Sequence, residues 1–266
     1  MNAPVRTDKM LSRKEGQVGY LTFNNPDKLN AVSLDMWEAA ESYLDEFKND
    51  SNIRVVVVTG AGGKAFVSGA DISKFENERA GKEASDRYNE AVDRAYAAFY
   101  DFPKPTIAMI RGYCIGGGMG LALSCDLRIC TEGSKFAVPA AKLSIGYRYA
   151  GLKKLVDVVG PSFAKEIFYT ARQFTSEEAK GMGLVNRVLP DGELETYVND
   201  YAATIAGNAP LAVDSVKFIV GEILKDPDKR DLDRAEAMVQ ACFASNDFIE
   251  GRRAFMEKRK PKFTGS

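Results

Sequence analysis

The first half of the chain switches repeatedly between two hydrophobic patterns. "VGYLTFNN" (18–25) alternates and ends in turn residues, which predicts a strand. "SLDMWEAAESYLDEFKND" (33–50) then sets Leu34, Trp37, Tyr43, Leu44 and Phe47 mostly at helical spacing, with Ser33 placed to cap the helix. "IRVVVVTG" (53–60) and "TIAMIRG" (106–112) are continuous apolar runs, the pattern of strands buried on both faces. Between them, 83–101 reads as a helix stopped by "FPKP". "DLRICTE" (126–132) is a further strand. Past residue 150 the helical period dominates, over 151–159, 162–171 and 175–182. The last of these opens with "TSEE", in which Thr175 and Glu178 have the spacing of a capping box. "LVNRVLP" (184–190) is one last short strand, and 193–260 reads as helices. The fold class is therefore α/β with an all-helical end. No low-complexity linker divides it, and no repeat is visible in the sequence.

Composition narrows the function classes. The chain has 266 residues and a formal net charge of -1, so nothing global favours nucleic acid or an anionic membrane as a partner. No apolar run approaches the ~20 residues of a membrane span. "MNAPVRTDKMLSRKEGQ" lacks the apolar stretch of a secretory signal and carries Asp8 and Glu15. Cys114, Cys125, Cys130 and Cys242 are thinly spread, mostly in or beside apolar runs. They read as buried thiols of a reducing, cytoplasmic setting, and their spacing matches no metal site. The chain contains no histidine, which removes every Ser-His and Cys-His mechanism and the commonest general base.

Glycine is concentrated where it weakens the fold. "VVVVTGAGGKA" fits G-x-G-x-x-G/A at Gly60, Gly62 and Ala65. A dinucleotide site would need a helix at once and an acidic residue ending a second strand ~20 residues on. Residues 66–83 supply neither, so this is a glycine-rich turn. "FVSGADI" (66–72) and "CIGGGMG" (114–120) follow a different logic. Each brings small residues and free backbone N–H groups to the end of a buried strand. Two such N–H groups aimed at one point make an oxyanion hole, and glycine lets a substrate oxygen come close.

These two segments, "FVSGADI" and "GYCIGGGMGLALSCDLR", closely resemble the enoyl-CoA hydratase/isomerase (crotonase) superfamily. "NPDKLNAVS", "FTSEEAKGMGLVNRVLP" and "EGRRAFMEKRKPKF" match its patterns too, so the resemblance runs nearly end to end. It implies a spiral of ββα units over 1–192 and a helical region over 193–266 that forms a homotrimer or a dimer of trimers. It also implies an acyl thioester of coenzyme A as substrate, in fatty acid metabolism, with no separate cofactor. The backbone N–H groups of Ala70 and Gly117 would hold the thioester oxygen, with Gly116 and Ala140 lining the acyl site. Coenzyme A would run along Lys28, Leu29 and Ala31, with Ser68, Asp71 and Ile72 beside the pantetheine. Lys258 would reach the 3′-phosphate on a neighbouring subunit. For Lys28 and the basic tail the alternative is a solvated lysine and a solvated helix end.

The chain departs from that pattern at the reacting centre. Family hydratases carry two glutamates at positions that are Gly120 and Ala140 here, the second within "FAVPA". Syn-hydration needs a base for water and an acid for the α-carbon, and neither residue can serve. In "AAKLSIGYRYAGL" (140–152), Tyr147 falls where decarboxylating relatives that act on methylmalonyl-CoA carry a tyrosine. Arg148 has the fork geometry to grip a carboxylate. Asp71, Glu76, Glu78, Glu90 and Asp126 are the other carboxylates of the region. Three readings follow: a hydratase-like enzyme with another acid/base group, a malonyl-type decarboxylase using Tyr147, and an acyl-CoA-binding protein without chemistry.

Overall fold

The β-branched runs lie side by side in one sheet. The computed structural model describes residues 5–71 and 82–266. The sheet orders β1 (Met10–Glu15), β2 (Val18–Phe23), β3 (Val55–Gly60), β5 (Thr106–Ile110), β7 (Leu127–Thr131) and β10 (Arg187–Leu189). Only the β1–β2 hairpin is antiparallel; the other pairings are parallel. Along β3 the valines alternate between two cores. Val56 and Val58 face the main one. Val55 and Val57 pack with Ile107 and Ile129 against Leu194, Val198 and Ala202 of α6 (Leu194–Ala206). Both faces are dry, which is why this strand is an unbroken apolar run. Each fully buried valine contributes roughly 1.5–3 kcal/mol.

A second, four-stranded sheet orders β4 (Ala65–Val67), β6 (Tyr113–Ile115), β8 (Lys135–Ala137) and β9 (Phe174–Thr175). Three times the chain runs one strand in the large sheet, turns, and runs one strand in the small sheet. Helices follow: α2 (Lys82–Tyr100) after β4, α3 (Gly117–Ser124) after β6, α4 (Tyr149–Thr170) after β8. These are the ββα units. Their turns stack, because Tyr113 N–H donates to Lys64 O (3.1 Å) and Lys135 N–H donates to Gly112 O (3.1 Å). The turn at Gly60–Ala65 leads into β4, not a helix, so the dinucleotide fingerprint lacks its helix.

The remaining helices are α1 (Leu34–Asn49), α5 (Ser176–Gly181), α7 (Pro210–Ile223), α8 (Leu232–Ala244) and α9 (Asn246–Met256). α1 buries Met36, Trp37, Ala40, Leu44 and Phe47. Ser33 does not cap it through a backbone bond; its hydroxyl bonds the Asp35 carboxylate instead. α4 breaks at Gly160, in extended left-handed geometry before Pro161, where the sequence pattern also breaks. α7–α9 leave apolar side chains exposed, among them Val216, Ile223, Leu232, Phe243 and Ile249. No helix among the described residues is long and apolar enough to cross a membrane.

The capping box of α5 is present in both directions. Glu178 N–H donates to Thr175 Oγ1 (3.2 Å), and Thr175 N–H donates to Glu178 Oε2 (2.8 Å). The Arg172 guanidinium, 2.8 Å away, and the Thr175 N–H lower the Glu178 pKa from 4.5 to about 2. A carboxylate with a depressed folded pKa stabilises above its ordinary pKa and loses that contribution as pH falls through the folded value. Glu178→Gln should therefore unfold at lower urea than wild type at pH 7. The difference should close between pH about 4.5 and about 2 when midpoints are measured across that range.

Candidate active site

Two loops at the ends of β4 and β6 meet at glycine. The first loop, Ser68–Asp71, is stitched to the segment 28–32. Ser68 N–H donates to Leu29 O (3.2 Å), Val32 N–H to Gly69 O (2.8 Å), and Asp71 N–H to Val32 O (3.0 Å). Val32 and Ala70 thus form a parallel bridge in which Gly69 and Asp71 make the bonds. The Ala70 N–H consequently points the other way, out of the bridge.

Segment 28–32 is itself held by Asn30. Leu29 and Asn30 both have left-handed φ values, 52° and 55°. Asn30 is fully buried. Its Nδ2 donates to Ala61 O (2.9 Å) and Ala65 O (2.7 Å), and its Oδ1 accepts from Asn25 N–H (2.9 Å). One side chain joins both turns and the start of β4. Lys28 Nζ bonds the buried Asp71 carboxylate (3.0 Å), so its cation lies against the loop.

The second loop passes from β6 into α3. Gly116, at φ 53° and ψ −108°, is the N-cap, and its N–H donates to Ala137 O (2.9 Å). Gly117 opens the helix, so its N–H has no helical partner and sits at the positive end of the dipole. A Cβ on Gly118 would lie 2.0 Å from Val67 O; only glycine lets α3 abut β4. A Cβ on Gly117 would lie 3.6 Å from Gly69 Cα, so the gap between the two loops would just take one methyl group. Neither Ala70 N–H nor Gly117 N–H has a hydrogen-bond partner among the described residues. At the far end of α3, the buried Arg128 donates to Ala122 O (3.3 Å), Cys125 O (2.7 Å) and Leu184 O (2.8 Å).

Aromatic residues back both loops. Tyr96 of α2 donates its hydroxyl to Gly117 O (2.8 Å). Its ring fills the space at Gly120, where a Cβ would lie 2.7 Å from Tyr96 Cζ and Oη. Tyr88 donates to Val32 O (3.2 Å) and accepts from Trp37 Nε1 (3.3 Å). Trp37 also packs edge-on against Tyr96, with ring centroids 5.3 Å apart. Burial raises the Tyr96 pKa well above the usual tyrosine value, and Tyr147 is near enough to raise it further. Desolvation also raises the Tyr147 pKa, although 38% of the residue is exposed. Tyr147 stacks edge-on against Phe168 (4.7 Å).

The other candidates separate into groups. Gly116, Gly117, Ser68, Ala70 and Asp71 belong to the two loops, with Lys28, Leu29 and Ala31 alongside the first. Ala140 is buried in a short turn after β8, and its carbonyl accepts from Ile145 N–H (3.0 Å). Arg148 is ion-paired with Asp93 of α2, on the surface. Asp126 accepts from Thr106 N–H (2.7 Å) and Lys217 Nζ (2.7 Å), so it holds β5 to α7. Glu90 is exposed on α2. Lys258 ends α9 in a left-handed turn, and among the described residues it has no bond to either loop. Ile72, Glu76 and Glu78 lie outside the described residues. The four thiols are free, with three fully buried; burial pushes Cys125 and Cys130 up to about 12 and Cys114 higher still. No cluster among the described residues could hold a metal ion. Sequence reasoning missed Asn30, Tyr88 and Tyr96. Helical spacing places Tyr88 and Tyr96 on the inward face with Ala91, Ala95 and Phe99, but no local signal pairs Tyr96 with Gly120.

Comparison with known proteins points one way. Residues 13–266 match the family described as enoyl-CoA hydratase/isomerase. The short-chain-enoyl-CoA hydratase of Clostridium acetobutylicum is 34% identical over 256 residues, covering 95% of this chain and 96% of that protein. A peroxisomal Delta(3,5)-Delta(2,4)-dienoyl-CoA isomerase of Arabidopsis thaliana is 34% identical, covering 94% and 93%. A crystal structure titled enoyl-CoA hydratase/carnithine racemase from Magnetospirillum magneticum superposes with a TM-score of 0.91 at 36% identity, covering 98% and 97%.

Asn30→Ala removes both donors to Ala61 O and Ala65 O. Leaving a buried carbonyl unpaired costs about 1–3 kcal/mol, so the variant should lose at least that much stability in urea unfolding. A loss within error of zero would mean that the first loop does not depend on this side chain.

Proposed function

The chain belongs to the enoyl-CoA hydratase/isomerase family, and from that premise we propose that it acts on an acyl-CoA thioester held by the N–H groups of Ala70 and Gly117. It is an enzyme with the α/β crotonase fold. One observation carries the reading: two N–H groups without a partner among the described residues sit on loops separated by about the width of a methyl group. A thioester oxygen between them would gain both hydrogen bonds as it takes up enolate charge. Donors already in place act without reorganisation, and losing one typically costs about 10²–10³ in rate.

Coenzyme A would follow the strip of Lys28, Leu29 and Ala31, with Ser68 and Asp71 beside the pantetheine. The bonds from Ser68 and Asp71 to this strip support one continuous surface. Lys258 would serve a neighbouring subunit's phosphate. The exposed apolar residues of α7–α9 support a homotrimer or a dimer of trimers. Coenzyme A is part of the substrate, and the reading needs no further cofactor.

The proton chemistry is the unusual part. Positions 120 and 140 carry no carboxylate, and Tyr96, bonded to Gly117 O, and Tyr147 beside it are phenols whose pKa values are raised. Protonated phenols donate; they do not take a proton from water at neutral pH. This favours a second reading beside the hydratase-like one, decarboxylation of a malonyl-type thioester. The C–C bond to the carboxylate breaks, its electron pair becomes the enolate, carbon dioxide leaves, and the α-carbon takes a proton, with Tyr147 as donor. This reading assigns Arg148 no part, since its guanidinium is paired with Asp93 on the surface.

Gly117→Pro removes the N–H at a position where proline suits the first helical turn. A Cβ there meets Tyr96 Oη at 3.5 Å, an ordinary contact, so the fold should persist. Turnover of crotonyl-, longer enoyl- or methylmalonyl-CoA in deuterium oxide, read by product mass, should fall about 10²–10³-fold. Undiminished turnover would remove Gly117 from the hole. Gain of heavy water by an enoyl thioester marks a hydratase; loss of carbon dioxide with deuterium uptake marks the decarboxylase. For the assembly, light scattering should give a mass near three or six times 29.1 kDa, and a mass of one chain would refute it.

A further inference from the structure

Both halves of the proposed hole are braced from behind by one helix. Gly117 has Gly116 before it and Gly118 after it, the least stiff run of backbone a chain can offer. The peptide that carries the Gly117 N–H is held through Gly116 O, which accepts from Gly120 N–H (3.1 Å), and the peptide on the other side of Gly117 is held by Tyr96 Oη, which donates to Gly117 O at 2.8 Å. Its ring takes the volume that Gly120 leaves open, since any Cβ at 120 would lie within 2.7 Å of the phenol. The identities of positions 96 and 120 are therefore interlocked.

The first loop has its own brace two turns earlier on α2. Tyr88 Oη donates to Val32 O (3.2 Å), the same oxygen that accepts from Asp71 N–H (3.0 Å). Val32 N–H in turn holds Gly69 O, so the peptides on both sides of Ala70 are fixed through Val32. The two phenols share Trp37, which is 1% exposed, donates to Tyr88 Oη and packs edge-on against Tyr96. We propose that Tyr88 and Tyr96 are positioning residues that set the spacing and aim of the two N–H donors, with α2 as the rigid bar between them. This rests on the reading of Ala70 and Gly117 as those donors.

The test uses the full-length protein and 4-dimethylaminocinnamoyl-CoA, whose absorption moves to the red when its thioester carbonyl is polarised. Wild type should bind it with a red shift. Tyr96→Phe and Tyr88→Phe keep their rings and should keep the dissociation constant within about threefold, because the coenzyme A contacts are untouched. Their red shift should drop by about half or more, and kcat on a turned-over thioester should fall about 10–100-fold at unchanged KM, as expected when donors are misplaced by a fraction of an ångström. Wild-type binding without a red shift would overturn the oxyanion reading, and this proposal with it. A full red shift in both phenylalanine variants would overturn the positioning role alone. So would a parallel loss of binding and shift, which marks a merely structural effect. If Tyr96→Phe does not fold, Gly120→Ala puts the same question, because its Cβ must displace the phenol. A full red shift in that variant overturns the proposal.

Discussion

The site depends on how closely α3 approaches the end of β4. At Gly118 the gap to Val67 O admits no Cβ at all. Without that contact the loop after β4 and the start of α3 would stand a side chain further apart, too far for their N–H groups to share the one oxygen proposed for them. The three glycines weaken the helix they begin, and each weakening answers a specific neighbour. Gly116 supplies the positive-φ turn, Gly117 leaves only a methyl group's width to Gly69, and Gly118 meets Val67. The lost backbone stiffness is restored from outside the segment, by Tyr96 on one side and by the Gly116–Ala137 bond on the other.

How much of this the chain declared in advance depended on the range of the interaction. The long apolar runs of β3 and β5, the capping box at Thr175 and the break at Gly160 are local, and periodicity or spacing exposes them. The small sheet was invisible. Its strands span two or three residues, too few for an alternation to register, and they exist because three turns stack on one another. β1 was missed for another reason: it is a polar edge strand with one buried residue. The two glycine loops were legible because glycine in front of an apolar helix contradicts propensity, and such contradictions mark sites. Asn30 was not, because a buried asparagine reads the same as an exposed one until its three partners are known.

The exchange at the reacting centre has the same character. Reading positions 120 and 140 alone shows two missing carboxylates. In the folded chain the first vacancy is occupied, by a phenol that arrives from α2, a helix earlier in the chain. The phenol's one proton is committed to Gly117 O, so what fills the position is a brace for the backbone and not an acid.

The buried Arg128 bears on the same site from the far end of α3. α3 has eight residues, about 12 Å of helix, and its macrodipole should be weak because its two poles are close together. Arg128 donates to Ala122 O and Cys125 O at the negative pole and sets a full cation there. The thioester oxygen proposed to sit at Gly117 would then face a positive pole whose opposite is offset by a cation, so a short helix would keep more of its pull than its length alone allows.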